Sequence, residues 1–354
     1  MSETASPGTP PAKIENALAP PGRETLSQLL ARILDQLSVS AWLPAAAFVF
    51  LLVLIGAVRR TGGDVPDAID VITSMSWQSL VLLIGAVILA TILTQAFQFE
   101  AIRLLEGYWV PRGVRSALAD ALCLWHLWRR NRVRRRLKGV EERAFAHARR
   151  EMLRVGLPRA VIDIFENEVV GRPDSVEDAS EEDLQVADAF AWEEYAPTRE
   201  RRRIDALKRA LEQYPEADHL VRPTRLGNTL TAFEERVNDP SAGALEGFVQ
   251  KVFDEMPLPL QSQHDEFRSR LDLYCTLVAV FVISGVIGVL AGVGAEHGAR
   301  TMAVTAALTV VLTWLSYRAA IASARGYGSV LVTIAERSAS RSQAARLRST
   351  EDGS

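Results

Sequence analysis

Four apolar blocks, grouped as two pairs around a highly charged middle, organise this chain. The charge-free cores run over 41–58, 77–97, 273–294 and 302–317, and none contains Asp, Glu, Lys or Arg. Each is about long enough to cross a hydrocarbon core of roughly 30 Å at ~1.5 Å per helical residue. The fourth is the shortest, bracketed by Arg300 and Arg318, whose long side chains can snorkel to an interface. The pattern predicts an all-α integral membrane protein with spans at 41–58, 77–98, 273–294 and 302–321. These form two hairpins, joined by external loops at 59–76 and 295–301, around a helical cytoplasmic domain at 99–272.

Outside the blocks the pattern changes. Residues 1–21 are rich in Pro, Ala, Ser and Gly, have no apolar period, and read as a disordered tail. They carry no basic n-region with an early apolar core, so no signal peptide is expected. Over 22–40 a helix starts at Thr25 with Gln28 three residues on, and Leu26, Leu29, Leu30, Ile33, Leu34 and Leu37 form an apolar stripe. That stripe suits the bilayer surface or packing on the protein's own helices. The middle shows helical spacing and no convincing strand alternation. Helices are expected over 181–194, 198–213, 229–237 and 241–256, with a further helix from about Gln261 running into span three. Pro111-Arg112-Gly113 breaks the helix leaving span two. Residues 322–354 form a C-terminal tail.

Composition alone would mislead: 48% hydrophobic and 23% charged residues suit a soluble enzyme, but here the two kinds are segregated. Net charge is −3, so no global field favours nucleic acid. Local charge is more informative. Residues 99–160 are basic, and 161–195 are acidic. The segment after span two and the tail after span four hold most of the Lys and Arg near span ends, which predicts a cytoplasmic middle and cytoplasmic termini. Arg59 and Arg60 in the first external loop are a mild exception, set against Asp64, Asp67 and Asp70.

The most distinctive extramembrane piece is 114–138. Leu118, Leu122, Trp125 and Trp128 fall near one face, and Arg129, Arg130, Arg132, Arg134, Arg135 and Arg136 follow at once. A basic helix carrying Trp beside a span end suits anionic lipid, at on the order of 1 kcal/mol per Arg. The plainer reading is a positive-inside anchor. The acidic stretch offers a counterpart for the basic run, within one chain or between protomers. Span three carries Ser284, Gly288 and Gly292 at four-residue spacing, which lets helices approach closely, inside the four-helix set or at a homo-oligomer seam. Span four carries Thr305, Thr309 and Thr313 on one face, a pore lining in one reading and self-bonded hydroxyls in the other.

No H-E-x-x-H, G-x-S-x-G, Walker loop or G-x-G-x-x-G occurs, so no catalytic residue, metal ligand or cofactor is assigned. His264-Asp265-Glu266 is the one local His/acid cluster. Cys123 and Cys275 lie far apart in sequence and imply no disulfide framework. No ionisable residue sits inside a charge-free core, so the usual mark of an ion relay is missing.

Three phrases carry a resemblance: Leu104-Leu105-Glu106-Gly107-Tyr108-Trp109, Arg222-Pro223-Thr224-Arg225-Leu226-Gly227-Asn228, and 317–331 with Ala324-Arg325-Gly326-Tyr327-Gly328. They are similar to segments of a group of bacterial, largely actinobacterial, membrane proteins. The resemblance implies two spans, a cytoplasmic region and two more spans, and carries no catalytic residue. Locally, Pro223 and Gly227 set a turn, and Asn228 is expected to cap helix 229–237. The resulting expectation is a non-enzymatic scaffold or regulatory protein of the bacterial plasma membrane. Its cytoplasmic domain would bind anionic lipid or a protein partner, with no nucleic acid. The alternatives are an oligomeric channel or transporter, and a membrane enzyme acting on lipid through His264, Asp265 and Glu266.

Overall fold

The computed structural model describes residues 39–109, 114–171, 180–237, 256–294 and 298–351. The tail, the helix expected from Thr25 and the Pro111 break lie outside them, as does all of the helix expected over 241–256 except Met256. The described residues hold ten α-helices, two short 3-10 turns and no strand. Four helices are long and apolar enough to cross a membrane: α1 (Val39–Arg60), α3 (Trp77–Glu106), α9 (Leu258–Gly292) and α10 (Gly298–Glu351). The chain is a multi-pass, all-helical membrane protein.

The four spans pair as expected. α9 and α10 make the most extensive contact in the molecule, and α1 packs on both α3 and α9. Close approach within the α9–α10 hairpin depends on small residues. A Cβ on Gly288 would stand 2.9 Å from the Thr305 Cβ, one on Gly285 would stand 2.7 Å from the Thr309 hydroxyl, and Ser284 is fully buried. At the loop end the two hairpins are tied by an Arg300–Asp64 ion pair at 3.6 Å. The first loop also holds a short helix, α2 (Val65–Thr73), where only a loop was expected. Asp64 before it and Pro66 in its first turn start it, and Ala68 buries against Ala57 and Val58 of α1.

The other ends of the spans run on into the domain. Ser76 caps α3, and Gly107, at φ 85°, closes it in the left-handed region that glycine tolerates. α10 has 54 residues, roughly 80 Å at ~1.5 Å per residue, so it extends far past the bilayer. The domain proper begins with α4 (Val114–Val155) and continues through α5 (Arg159–Val170), α6 (Glu181–Ala189), α7 (Thr198–Leu211) and α8 (Arg225–Val237). A capping box of Ser180 and Asp183 starts α6. The expected helix over 181–194 therefore stops at Ala189, and a 3-10 turn, Trp192–Tyr195, follows. Its core is Ala144, Phe145, Met152, Ile162, Phe165 and Trp192, with Phe145 and Trp192 edge to face at 5.5 Å.

A second core joins domain to spans. Leu226 of α8, Leu271 and Cys275 of α9, and Ala320, Ile321 and Ala324 of α10 are buried together, with Leu105 of α3 against them.

Candidate functional site

The junction is where the three resembling phrases meet. Gly227 sits in the first turn of α8, and a Cβ there would fall 2.0 Å from the Glu106 carbonyl oxygen. Only glycine lets α8 rest backbone on backbone against the end of α3. The Thr224 hydroxyl donates to the Leu105 carbonyl at 2.6 Å and accepts from Gly227 N–H at 3.0 Å. Thr224, not Asn228, is thus the residue that caps α8. Asn228 is fully buried one turn in. Its amide donates to the Arg222 and Thr224 carbonyls, each at 2.8 Å, and its oxygen accepts from Arg222 N–H at 2.8 Å. The cap reading fails because the helix starts four residues earlier than expected, at Arg225 instead of Thr229. From α10, the Tyr317 hydroxyl accepts from Leu226 N–H at 3.3 Å. Phe267 and Phe233 fill the spaces that Gly326 and Gly328 leave open.

Charge gathers around the same junction. The Arg222 guanidinium lies 4.6 Å over the Tyr108 ring. Burial pushes the Glu234 carboxyl up, and Arg222 pulls it back. Burial likewise pushes the Tyr108 phenol up.

A strap at 213–222 carries α4 to this junction. The Glu216 and Ala217 N–H groups donate to the Glu235 carboxylate of α8 at 2.6 and 3.0 Å. On its other side the strap holds α4. Arg130 donates to the Pro215 and Glu216 carbonyls at 2.9 and 3.1 Å and pairs with Asp218. The Cys123 thiol reaches the Val221 carbonyl, and His126 faces the Tyr214 hydroxyl at 3.4 Å. Burial, then Arg129 and Arg225, push the His126 imidazole down to about 4 from its ordinary 6.5.

Arg130 is only 2% exposed, so it departs from the expected lipid-facing run: helical rotation turns it inward, where it serves the strap. The others face out. Trp125 and Trp128 are 46% and 51% exposed, with Arg129 and Arg132 stacked on their rings at 5.3 and 5.2 Å. Trp125, Trp128, Arg129, Arg132 and Arg136 line one cavity of about 330 Å³. A second cavity of about 570 Å³ continues the stripe with Arg135, Arg136, Arg143 and Arg203. Arg134 is also exposed. Among the described residues none of these outward arginines forms an ion pair with a carboxylate. The acidic stretch pairs elsewhere, Glu166 with Arg149 at 3.4 Å and Glu193 with Lys208 at 3.3 Å.

The remaining expected residues separate. Thr305 and Thr309 are buried and donate to the Thr301 and Thr305 carbonyls at 2.8 and 2.7 Å, and Thr309 and Thr313 border an apolar groove, not a polar channel. His264 is buried against Tyr327 and keeps its Nδ1 3.1 Å from the Asp265 carboxylate, while Glu266 turns to Arg270. Among the described residues no cluster of His, Cys, Asp and Glu has metal-binding geometry. No protein-family model, curated protein or solved structure matches the chain.

Proposed function

We propose that this chain is a non-enzymatic protein of the bacterial plasma membrane, with both termini and the helical domain in the cytoplasm, whose α4 face docks the domain on anionic lipid. The carrying observation is the outward stripe of half-exposed tryptophans with arginines on their rings, prolonged by Arg143 and Arg203 and free of ion pairs among the described residues. An amphipathic aromatic ring with a cation beside it suits the water–headgroup boundary. The lysine and arginine bias at the span ends supports the orientation. Membership of the bacterial four-span group rests on the three resembling phrases alone.

The test places photo-crosslinking p-benzoylphenylalanine at Trp128 in the full-length protein, in nanodiscs of phosphatidylglycerol or of phosphatidylcholine. Lipid adducts are expected with the anionic lipid. Replacing Arg129, Arg132 and Arg136 by Gln should lower their yield by about tenfold or more. Equal yields in both lipids, unmoved by the substitutions, would refute the reading. Adducts to a protein instead of lipid, when the crosslinking is done in cells, would refute lipid docking and identify a protein surface.

A further inference from the structure

An apolar groove of about 740 Å³ runs along the lipid-facing side of the α9–α10 hairpin. Phe281, Val282, Val286 and Val289 of α9 form one wall, and Val310 and Trp314 of α10 form the other. Leu105 and Tyr317 close it at the domain end. Val286, Val310 and Trp314 are 55%, 66% and 55% exposed, so the groove opens sideways to acyl chains.

Positive charge collects at its closed end. Arg318, one turn beyond Trp314, lies 5.2 Å over the Trp314 ring. Arg325, two turns further, shares that face of α10 and is exposed. Arg225 arrives from α8, next to the Leu226 N–H that Tyr317 accepts, and its guanidinium is held by Gln213 at 2.7 Å. Burial first, and then the like charges of Arg225 and Arg318, push the Arg325 guanidinium below its ordinary value. Among the described residues no carboxylate pairs with any of the three. Three guanidiniums gathered without a counter-ion repel one another, and an anion would relieve this.

We propose that the groove and the Arg225/Arg318/Arg325 cluster together bind one anionic phospholipid, its phosphate at the arginines and an acyl chain along Trp314, Val310 and Val286. Charge complementarity selects an anionic headgroup, and the apolar lining selects a chain over a free phosphate. The site lies on α8, α9 and α10, and the test leaves the residues of the α4 face intact.

The full-length protein in a neutral detergent is titrated with phosphatidylglycerol, phosphatidylcholine or glycerol phosphate, and bound molecules are counted by native mass spectrometry. One phosphatidylglycerol is expected to bind in preference to phosphatidylcholine. Arg318→Gln with Arg325→Gln should weaken it by roughly thirtyfold, at the usual contribution of an arginine beside an anionic surface, and leave phosphatidylcholine unmoved. Val286→Trp, at an exposed apolar position, should fill the groove and weaken both lipids. Unchanged phosphatidylglycerol binding in the arginine variant would overturn the site. So would equal competition by glycerol phosphate, or a dimer crosslinked through Val310→Cys whose interface buries the groove.

Discussion

Replacing Gly227 by Ala tests whether the domain is docked on the spans through backbone contact. The added methyl would meet the Glu106 carbonyl oxygen at 2.0 Å and its carbon at 2.9 Å. Neither is a flexible side chain. Ordinary contact starts at 3.4 Å, so α8 must retreat by more than an ångström. The Thr224–Leu105 bond at 2.6 Å and the Leu226–Tyr317 bond at 3.3 Å then lengthen towards or beyond 3.5 Å. Overpacking costs about 1–3 kcal/mol, and each hydrogen bond lost adds about 0.5–1.5 kcal/mol. Alanine's better helix propensity returns about 1 kcal/mol. The net loss is about 3 kcal/mol, which for a large domain lowers an apparent Tm by roughly 6–12 °C. The assay is tryptophan-fluorescence melting of the full-length protein in one detergent at one scan rate, since such melts are often irreversible. Gly139→Ala is the paired control: nothing lies within 4 Å of a Cβ there, so the same change inside α4 should raise the Tm slightly. A Gly227→Ala protein that melts at or above the wild type would refute the docking argument.

Two further outcomes follow from the strap. Arg130→Met leaves two strap carbonyls without donors, while Asp218, three-quarters exposed, regains water; the loss should be about 2–3 kcal/mol, against less than about 0.5 kcal/mol for exposed Arg134→Met, and equal melting of the two variants would refute the inward placement. His126 gives a pH signature: its folded-state value is about 4 against 6.5 for an ordinary imidazole, so the unfolded chain takes the proton first. Its contribution, on the order of 3 kcal/mol, is present above pH 6.5 and is lost as pH falls towards 4, and His126→Gln should flatten melting temperature against pH across that window.

The spans were legible because lipid imposes a composition: charge-free runs of about twenty residues have few other uses. Their pairing was legible from order alone, and the Ser284/Gly288/Gly292 spacing points at close helix approach. Less visible was which arginine of a run turns inward. Arg130 and Arg134 look alike in sequence, and only the strap at 213–222, some 85 residues away, separates them. The α8 boundary is hidden in the sequence because Arg225-Leu226-Gly227 carries a helix-weak glycine, whose reason is a tertiary contact and not local propensity. Arg225, Arg318 and Arg325 are not visible as a group in the sequence because they come from two helices brought together by Tyr317 and Leu226. Residue spacing on one helix finds pairs such as Arg318 and Arg325, but not the third member.

The three phrases that stand out in sequence are each local accommodations to one meeting point. Gly107 ends α3 with its Cα against Pro223, Gly227 lets α8 touch that end, and Gly326 and Gly328 admit Phe267 and Phe233 to α10. Such a joint has no slack. Any tilt between α3 and α10 must move α8, and α8 holds the strap through Glu235 while the strap holds α4 through Arg130. The α4 stripe is thereby tied to the ends of the spans by a chain of direct bonds. A surface placed on a floppy tether would need none of these contacts. Interior densities comparable to crystals transmit small shifts as rigid displacements, so displacement of α4 and tilt of α3 against α10 are mechanically joined through Gly227.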